Sequence, residues 1–139
     1  RDDDMRERIV RHRQERPSWK TIEEPIELSR SVGQCPTDAL VIIDCLTLWV
    51  SNMLLRSDTQ DEMLRHSMNV LGVVGARTGA TIAVSNEVGL GVHPETDLER
   101  QYRDMLGRIN QQWARAARQS LFLVAGRAIS LINPKEFLE

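Results

Sequence analysis

ALVIIDCLTLWVSN, residues 39–52, is the stretch of sequence that decides the fold. Its first five residues are apolar and three of them are β-branched, which is typical of a short strand buried on both faces inside a parallel sheet. Asp44 follows at the carboxyl end of this strand, where open α/β sheets bind their ligands. Its carboxylate could bind a metal-bound water, a ribose or a sugar hydroxyl, or it could cap the helix that follows. The strand alone leaves both interpretations open.

The composition fits one globular domain. The chain has 139 residues, of which 41% are hydrophobic and 27% charged. A net charge of −2 gives no reason to expect a nucleic acid or an anionic membrane as partner. The sequence has no apolar run of transmembrane length and no opening signal peptide, and Cys35 and Cys45 lack a disulfide or zinc spacing. We therefore expect a cytoplasmic protein with reduced thiols and no membrane insertion.

A helix with an unusual histidine is predicted over residues 2–14. Aspartates favour its positive amino end, and Met5, Ile9 and His12 share one face. His12 has an arginine on each side, so it could serve as an acid, a base or a phosphate-accepting nucleophile, with the arginines holding phosphate oxygens. The alternative is a half-buried structural histidine among solvated arginines, which composition by itself favours.

Alternating strand and helix patterns fill the rest of the chain and predict an α/β fold with a mostly parallel sheet and right-handed crossovers. Residues 18–24 are interpreted as a short strand or an extended loop, and no pattern is assigned from residue 129 onward. The predicted helices cover residues 25–34, 46–56, 61–77 and 96–118, and further buried strands are predicted at residues 80–85 and 120–125.

Three of these helices have predicted buried faces. Helix 46–56 is apolar nearly all round and is expected to be buried on every side. Helix 61–77 is expected to bury Leu64, Met68, Leu71 and Val74. Helix 96–118 begins with a Thr-Asp-Leu-Glu capping box and is expected to bury Leu98, Tyr102, Met105, Ile109, Trp113 and Ala116.

Two polar features are predicted near Asp44. Thr47 and Ser51 share a helix face one turn beyond it, where they could line the same crevice or could bond back to helix carbonyls. The loop over residues 86–94 follows the second strand and contains two glycines. The glycines could permit close backbone approach to a ligand, or the connection could simply need positive φ twice. The Asn-Glu pair at the strand tip favours a functional loop.

Three stretches carry a resemblance to a known family: MRERIVRHRQERPSWKTIE (5–23), ALVIIDCLTLWVSNML (39–54) and SNEVGLGVHPETDLERQYRDMLGRINQ (85–111). They resemble the bifunctional adenosylcobinamide kinase / adenosylcobinamide-phosphate guanylyltransferase family of cobalamin biosynthesis, in the same order. The segment LFLVAGRAISL (121–131) resembles that family's last strand, so the similarity covers almost all of residues 2–131.

The resemblance implies a P-loop NTPase (RecA-like) type three-layer α/β fold and a homotrimer. It implies an enzyme that phosphorylates the aminopropanol hydroxyl of adenosylcobinamide with ATP or GTP. The enzyme would then transfer GMP from GTP to that phosphate through a guanylyl-histidine, giving adenosylcobinamide-GDP. Mg²⁺ would neutralise the triphosphate.

The resemblance also implies roles for individual residues. His12 matches the guanylylated histidine, and Asp44 matches the acidic residue at the tip of a Walker-B-like strand, where it would orient magnesium through water. Both matches favour the functional interpretations given above. The nucleotide-contacting positions are matched by Arg13, Gln14, Glu15, Arg16 and Glu23.

The sequence departs from the family at one motif. It contains no GxxxxGK[ST] phosphate loop, and the glycines of GVVGARTG (72–79) are not followed by a lysine. We therefore expect residues 1–139 to form a single α/β domain that is the carboxyl-terminal part of the family's domain, missing its first strands. Either the chain is a fragment, or another chain supplies the missing part; alone it is expected to have little activity.

Two other classes of function stay open. One is a non-catalytic nucleotide-binding or assembly module that has lost its phosphate loop. The other, weaker, is a RecA-type ATPase. His12 together with the segment that follows it favours the enzyme, because a sensor would not need the nucleophile.

Overall fold

The computed structural model of the protein describes residues 18–137. The helix predicted over residues 2–14 lies outside the described residues. The helices are α1 (Leu28–Gly33), α2 (Leu46–Leu55), α3 (Gln60–Gly75) and α4 (Asp97–Ala116). The strands are β1 (Val41–Asp44), β2 (Thr81–Val84), β3 (Ser120–Val124) and β4 (Arg127–Leu131), and short 3-10 turns occur at Val88–Leu90 and Pro134–Phe137.

The sheets are smaller and more mixed than the sequence predicted. β1 and β2 pair in parallel, in a register that places Asp44 opposite Val84, which confirms the parallel pairing. β3 and β4 form an antiparallel hairpin instead. Its two-residue turn, Ala125 and Gly126, has positive φ at both positions (49° and 69°), which suits the twist of a tight hairpin. The described fold is therefore α/β, with one short parallel pair and one hairpin.

The core lies between α2, α3 and α4. Val50, Met53, Leu106 and Ile109 have no exposed surface. Truncating one of the longer side chains to alanine costs about 2–5 kcal/mol in such a core. The buried Ser67 hydroxyl accepts a hydrogen bond from the Trp113 indole N–H at 3.1 Å, so α3 and α4 are also joined by a satisfied polar pair.

The predicted burial of the helices is partly wrong. Helix α2 packs on α4 through one face only, so Leu48 and Leu55 are 63% and 75% exposed. On α3 the fully buried face is shifted by one residue, to Met63, Ser67 and Val70, because this face meets α4 while the predicted stripe is only partly covered. On α4 the stripe is confirmed from Met105 to Trp113, but Leu98 and Ala116 at its ends are exposed, and Leu106 belongs to the core as well.

The strands are less buried than predicted. In β1 only Ile43 is buried, and Ile82 and Val84 of β2 are 50% and 41% exposed. Within residues 18–137, β1 and β2 pair only with each other, so each keeps an unpaired edge. The hairpin is similarly open, with Leu123 at 71% exposure. The prediction of fully buried strands at residues 80–85 and 120–125 is therefore wrong for the part of the chain that the structure describes.

A rigid corner fixes the amino ends of β1 and β2. The Arg77 guanidinium donates hydrogen bonds of 2.8–3.4 Å to four carbonyls, and the N–H groups of Thr78 and Gly79 both donate to the Thr37 carbonyl. A Cβ atom at Gly79 would lie 2.3 Å from the Ala39 carbonyl oxygen, so only glycine fits there. The carbonyls bound by Arg77 are those of Val32, Cys35, Pro36 and Ala39.

Candidate active site

Asp44 is the exposed last residue of β1, at the carboxyl edge of the parallel pair. Because Asp44 is in register with Val84, the loop that begins at Ser85 leaves the sheet beside it. The N-cap residue of α2 is Cys45, which follows Asp44 through a cis peptide bond, and no side chain caps this helix. The alternative that Asp44 serves as the helix cap is therefore wrong, and Asp44 remains an exposed carboxylate at the end of the strands where α/β sheets bind ligands.

A polar network holds the loop after β2 at this edge. The Asn86 backbone N–H donates to the Thr47 hydroxyl at 2.9 Å, which places Thr47 at the crevice as the first of its two interpretations predicted. The Ser85 hydroxyl donates to the Asn110 side-chain oxygen at 2.6 Å. The Asn110 amide donates in turn to the Asn86 carbonyl at 3.1 Å. Two helices, α2 and α4, thus fix the first residues of the loop.

The glycines of the loop do not have the backbone conformation that one interpretation required. Among the described glycines only Gly126 has positive φ, so Gly89 and Gly91 are not there to permit left-handed turns. The Glu87 carboxylate accepts a hydrogen bond from the Gly89 N–H at 2.8 Å. A Cβ at Gly89 would lie 2.7 Å from this carboxylate, so the absence of a side chain at Gly89 leaves room for the Glu87 carboxylate to bind the loop backbone.

Two open depressions lie along the loop and α4. The larger, about 410 Å³, is lined by the loop, including His93, and by Tyr102 and Arg103 of α4. The smaller, about 190 Å³, is an apolar groove between α2 and α4, and it shares Glu99 and Tyr102 with the larger one. Burial raises the pKa of Tyr102, and its hydroxyl donates to the Thr47 carbonyl at 3.3 Å.

The segment that contains Glu23 is anchored to α2. The Trp49 indole N–H donates to the Ile26 carbonyl at 2.8 Å, and the Asn52 amide donates to the Pro25 carbonyl at 3.2 Å. Residues 18–24 are irregular, as the extended-loop interpretation predicted, but the helix predicted over residues 25–34 begins only at Leu28. Glu23 is exposed, and its segment and Asp44 are both connected to the same helix.

The remaining predicted site residues lie outside the described residues. They are His12, Arg13, Gln14, Glu15 and Arg16, and their position relative to Asp44 stays a prediction. Conversely, sequence reasoning did not single out Asn110 or Arg103, and it included His93 only as a member of the loop over residues 86–94. The only signal for Asn110 was an amide beside the core residue Ile109 on a helix that packs next to the loop.

The single carboxylate at this edge is suited to a metal ion whose other ligands come from a bound nucleotide and water. Within residues 18–137, no group of three or more histidine, cysteine or carboxylate side chains could hold a metal ion. Asp44 offers a single exposed carboxylate. Magnesium commonly binds through one or two carboxylates while phosphates and waters supply its other ligands, so Asp44 fits magnesium bound to a triphosphate.

The described residues form an α/β fold with an exposed carboxylate and a polar loop at the carboxyl ends of its parallel strands. Comparison with known proteins makes the assignment specific. The family model described as cobinamide kinase / cobinamide phosphate guanyltransferase matches residues 1–131. The chain belongs to this enzyme family, which confirms the resemblance noted in the sequence.

Three curated relatives agree with this assignment. The bifunctional adenosylcobalamin biosynthesis protein CobP of Pseudomonas aeruginosa is 38% identical over 132 residues, covering 94% of this chain and 76% of the relative. The proteins named CobU from Escherichia coli K12 and Salmonella typhimurium LT2 are 31% and 30% identical, each covering 94% of this chain and 80% of the relative. None of the helices in residues 18–137 is long and apolar enough to cross a membrane.

Proposed function

We propose that this protein phosphorylates adenosylcobinamide and then transfers GMP from GTP to adenosylcobinamide phosphate, giving adenosylcobinamide-GDP in cobalamin biosynthesis. The observation that carries the proposal is the meeting of Asp44 and the loop over residues 86–94 at one carboxyl edge of β1 and β2. Both belong to the stretches that the family model matches.

The fold that goes with this function is a P-loop NTPase type three-layer α/β domain with a mostly parallel sheet, comprising residues 1–139. The parallel pairing of β1 with β2 and the carboxylate at the tip of β1 support it. We further propose that the protein works in the cytoplasm as a homotrimer. Light scattering, which measures the mass of the particle, would contradict the trimer if it gave the mass of one chain.

The kinase step needs positioning more than covalent chemistry. The acceptor hydroxyl oxygen attacks the γ-phosphorus of the triphosphate, the bond from that phosphorus to the bridging oxygen breaks, and the nucleoside diphosphate leaves with the electron pair. The hydroxyl proton passes to solvent. A magnesium ion brought by the nucleotide would neutralise charge on the triphosphate. Asp44, which is exposed at the carboxyl edge, would orient this magnesium through a bridging water.

The transfer step passes through His12. A neutral imidazole nitrogen attacks the α-phosphorus of GTP, the bond to the bridging oxygen breaks, and pyrophosphate leaves. The other ring nitrogen loses its proton, so the product is a neutral-ring phosphoramidate. A phosphate oxygen of the acceptor then attacks phosphorus, the N–P bond breaks with its electron pair on the His12 nitrogen, and the other ring nitrogen regains a proton, which restores neutral His12. Charge on the phosphoryl oxygens is stabilised by the arginines that flank His12, Arg11 and Arg13. The residues that contact the nucleotide are Arg13, Gln14, Glu15, Arg16 and Glu23.

Intact-mass spectrometry after incubation with GTP and magnesium tests this proposal. The chain has three histidines, so His66→Asn is a matched control for His12→Asn. His66 is on α3 and its ring lies 3.4 Å from the Arg56 guanidinium. With the phosphate-loop segment present in the same protein or supplied by another chain, we expect an acid-labile GMP adduct on the wild type and on His66→Asn, and none on His12→Asn. An adduct that persists in His12→Asn contradicts the proposal that His12 is the nucleophile. If the folded wild type binds the nucleotide but forms no adduct, the alternative of a non-catalytic module is favoured.

A further inference from the structure

We propose that the surface formed by the larger depression and the apolar groove beside it binds the acceptor, with Arg103 and His93 holding its phosphate. This inference rests on the proposed function, because it names where the second substrate lies. The loop over residues 86–94 starts beside Asp44 and forms one wall of the depression. An acceptor bound there would lie next to the edge where the nucleotide is proposed to bind.

The depression contains a paired set of hydrogen-bond donors. The Arg103 Nη1 atom lies 3.0 Å from His93 Nδ1. A guanidinium can only donate, so Nδ1 accepts and the proton of the neutral ring is on Nε2. The pair therefore presents N–H donors from both side chains, which is the chemistry that recognises a phosphate monoester. Asp104 pairs with the Nη2 and Nε side of Arg103, at 3.0 and 3.1 Å, which fixes the plane of the guanidinium.

Two carboxylates line the depression besides the donor pair, and of these Glu95 is exposed to solvent while Glu99 is engaged within the protein. The Glu99 carboxylate accepts hydrogen bonds from the Thr96 N–H and hydroxyl, which hold the pKa of Glu99 below its ordinary value. Arg100 pairs with Asp97 and donates to the Pro94 carbonyl at 3.1 Å, where it fixes the end of the loop. Arg103 and His93 are thus the donors that this surface offers to an anion.

The surface beside this donor pair is apolar. The smaller groove is lined by Leu54, Leu55 and Leu98, of which Leu55 and Leu98 are 75% and 55% exposed. Leu90 and Val92 of the loop are 76% and 95% exposed. Exposed apolar side chains next to fixed polar groups are typical of sites for amphipathic ligands. A phosphate on a short arm of a large ring system has this combination, whereas a nucleotide would leave the apolar groove unused.

Equilibrium binding separates recognition of the phosphate from catalysis. Calorimetric titrations with adenosylcobinamide phosphate and with adenosylcobinamide are made on the wild type, Arg103→Ala, His93→Gln and a matched control, Arg108→Ala. Arg108 is on the same helix but donates to Gln60 on α3, away from both depressions. Circular dichroism checks that each variant is folded.

We expect Arg103→Ala to raise the Kd for adenosylcobinamide phosphate about ten-fold or more, since it removes a charge-assisted hydrogen bond. The Kd for adenosylcobinamide should change by less than about two-fold. His93→Gln should raise the Kd of the phosphate about three-fold. Leu55→Ser, which alters only the groove, should weaken both acceptors by a similar factor. Arg108→Ala should change neither.

An unchanged Kd in Arg103→Ala, or equal weakening of both acceptors, overturns the inference. Formation of the GMP adduct is measured on the same variants and should be unaffected by Arg103→Ala. Loss of the adduct in that variant would assign Arg103 to the nucleotide and also overturn the inference. If the wild type binds adenosylcobinamide phosphate through its phosphate but forms no GMP adduct, the inference about Arg103 and His93 is supported. The same result contradicts the proposed guanylyl transfer.

Discussion

The amino and carboxyl ends of the β1–β2 pair, its amino and carboxyl edges, differ in how their polar groups are used. At the amino edge, Arg77 satisfies four carbonyls and Gly79 lies against the backbone that enters β1. At the carboxyl edge, Asp44 is exposed, and the loop that leaves β2 is held by Thr47 and Asn110. The amino edge is therefore organised for stability, and the carboxyl edge is open to a ligand.

The largest effect is expected from exchanging the carboxylate at the open edge. Asp44→Asn should lower the kcat/KM of phosphoryl transfer about 100-fold, because the nucleotide loses the group that orients it. The free energy of unfolding should change by less than about 0.5 kcal/mol, since Asp44 is exposed. Steady-state kinetics and urea denaturation measure the two quantities.

Asp38→Asn is the matched control at the opposite edge, since Asp38 is also exposed and precedes β1. It should alter neither quantity. Comparable loss of activity in both variants would remove the functional distinction between the edges.

The next effect is expected at the closed edge. Gly79→Ala should destabilise the protein by about 3 kcal/mol, because its Cβ would overlap the Ala39 carbonyl and the backbone would have to move. Gly75→Ala is the control, since a Cβ there has no neighbour within 4 Å. It should be neutral or slightly stabilising. Equal unfolding midpoints in urea for the two variants would show that the corner around Gly79 is not rigid.

The smallest effect concerns the helix that borders the proposed acceptor surface. Hydrogen bonds from the Thr96 N–H and hydroxyl lower the pKa of Glu99 from 4.5. A carboxyl with a lowered folded-state pKa stabilises the protein above its unfolded pKa, and this contribution is lost as the pH falls through the folded value. Glu99→Gln should therefore be less stable than the wild type at pH 7 and equally stable near pH 2. Thermal melts across this pH range measure the difference in stability between the variant and the wild type. A difference that persists at low pH would show that it does not come from the ionised Glu99 carboxylate.

The sequence was informative where a signal is local. The strand before Asp44, the capping box at Thr96 and the central stripe of α4 depend on neighbouring residues and were predicted correctly. The exposure of the strands was not predicted, because an apolar run shows that a strand can be buried but does not show what covers it. The hairpin was missed although Ala125 and Gly126 form a two-residue turn between apolar runs.

Long-range hydrogen bonds could not be predicted at all. Arg77 binds carbonyls 38 to 45 residues earlier in the chain, and Asn110 binds a loop 24 residues away. No periodicity records such pairs, because they depend on how the elements meet in space. The same limit applied to His93 and Arg103, whose ten-residue separation crosses a loop and the first turns of a helix.

Thr47 joins the loop after β2 to α4 by hydrogen bonds. Its hydroxyl binds the loop through Asn86, its carbonyl binds Tyr102, and it lies three residues after Asp44. Displacement of the Tyr102 ring would therefore alter a hydrogen bond to the first turn of α2. We expect occupation of the proposed acceptor surface to change nucleotide affinity through Thr47, and titration of the nucleotide with and without the acceptor would measure that coupling.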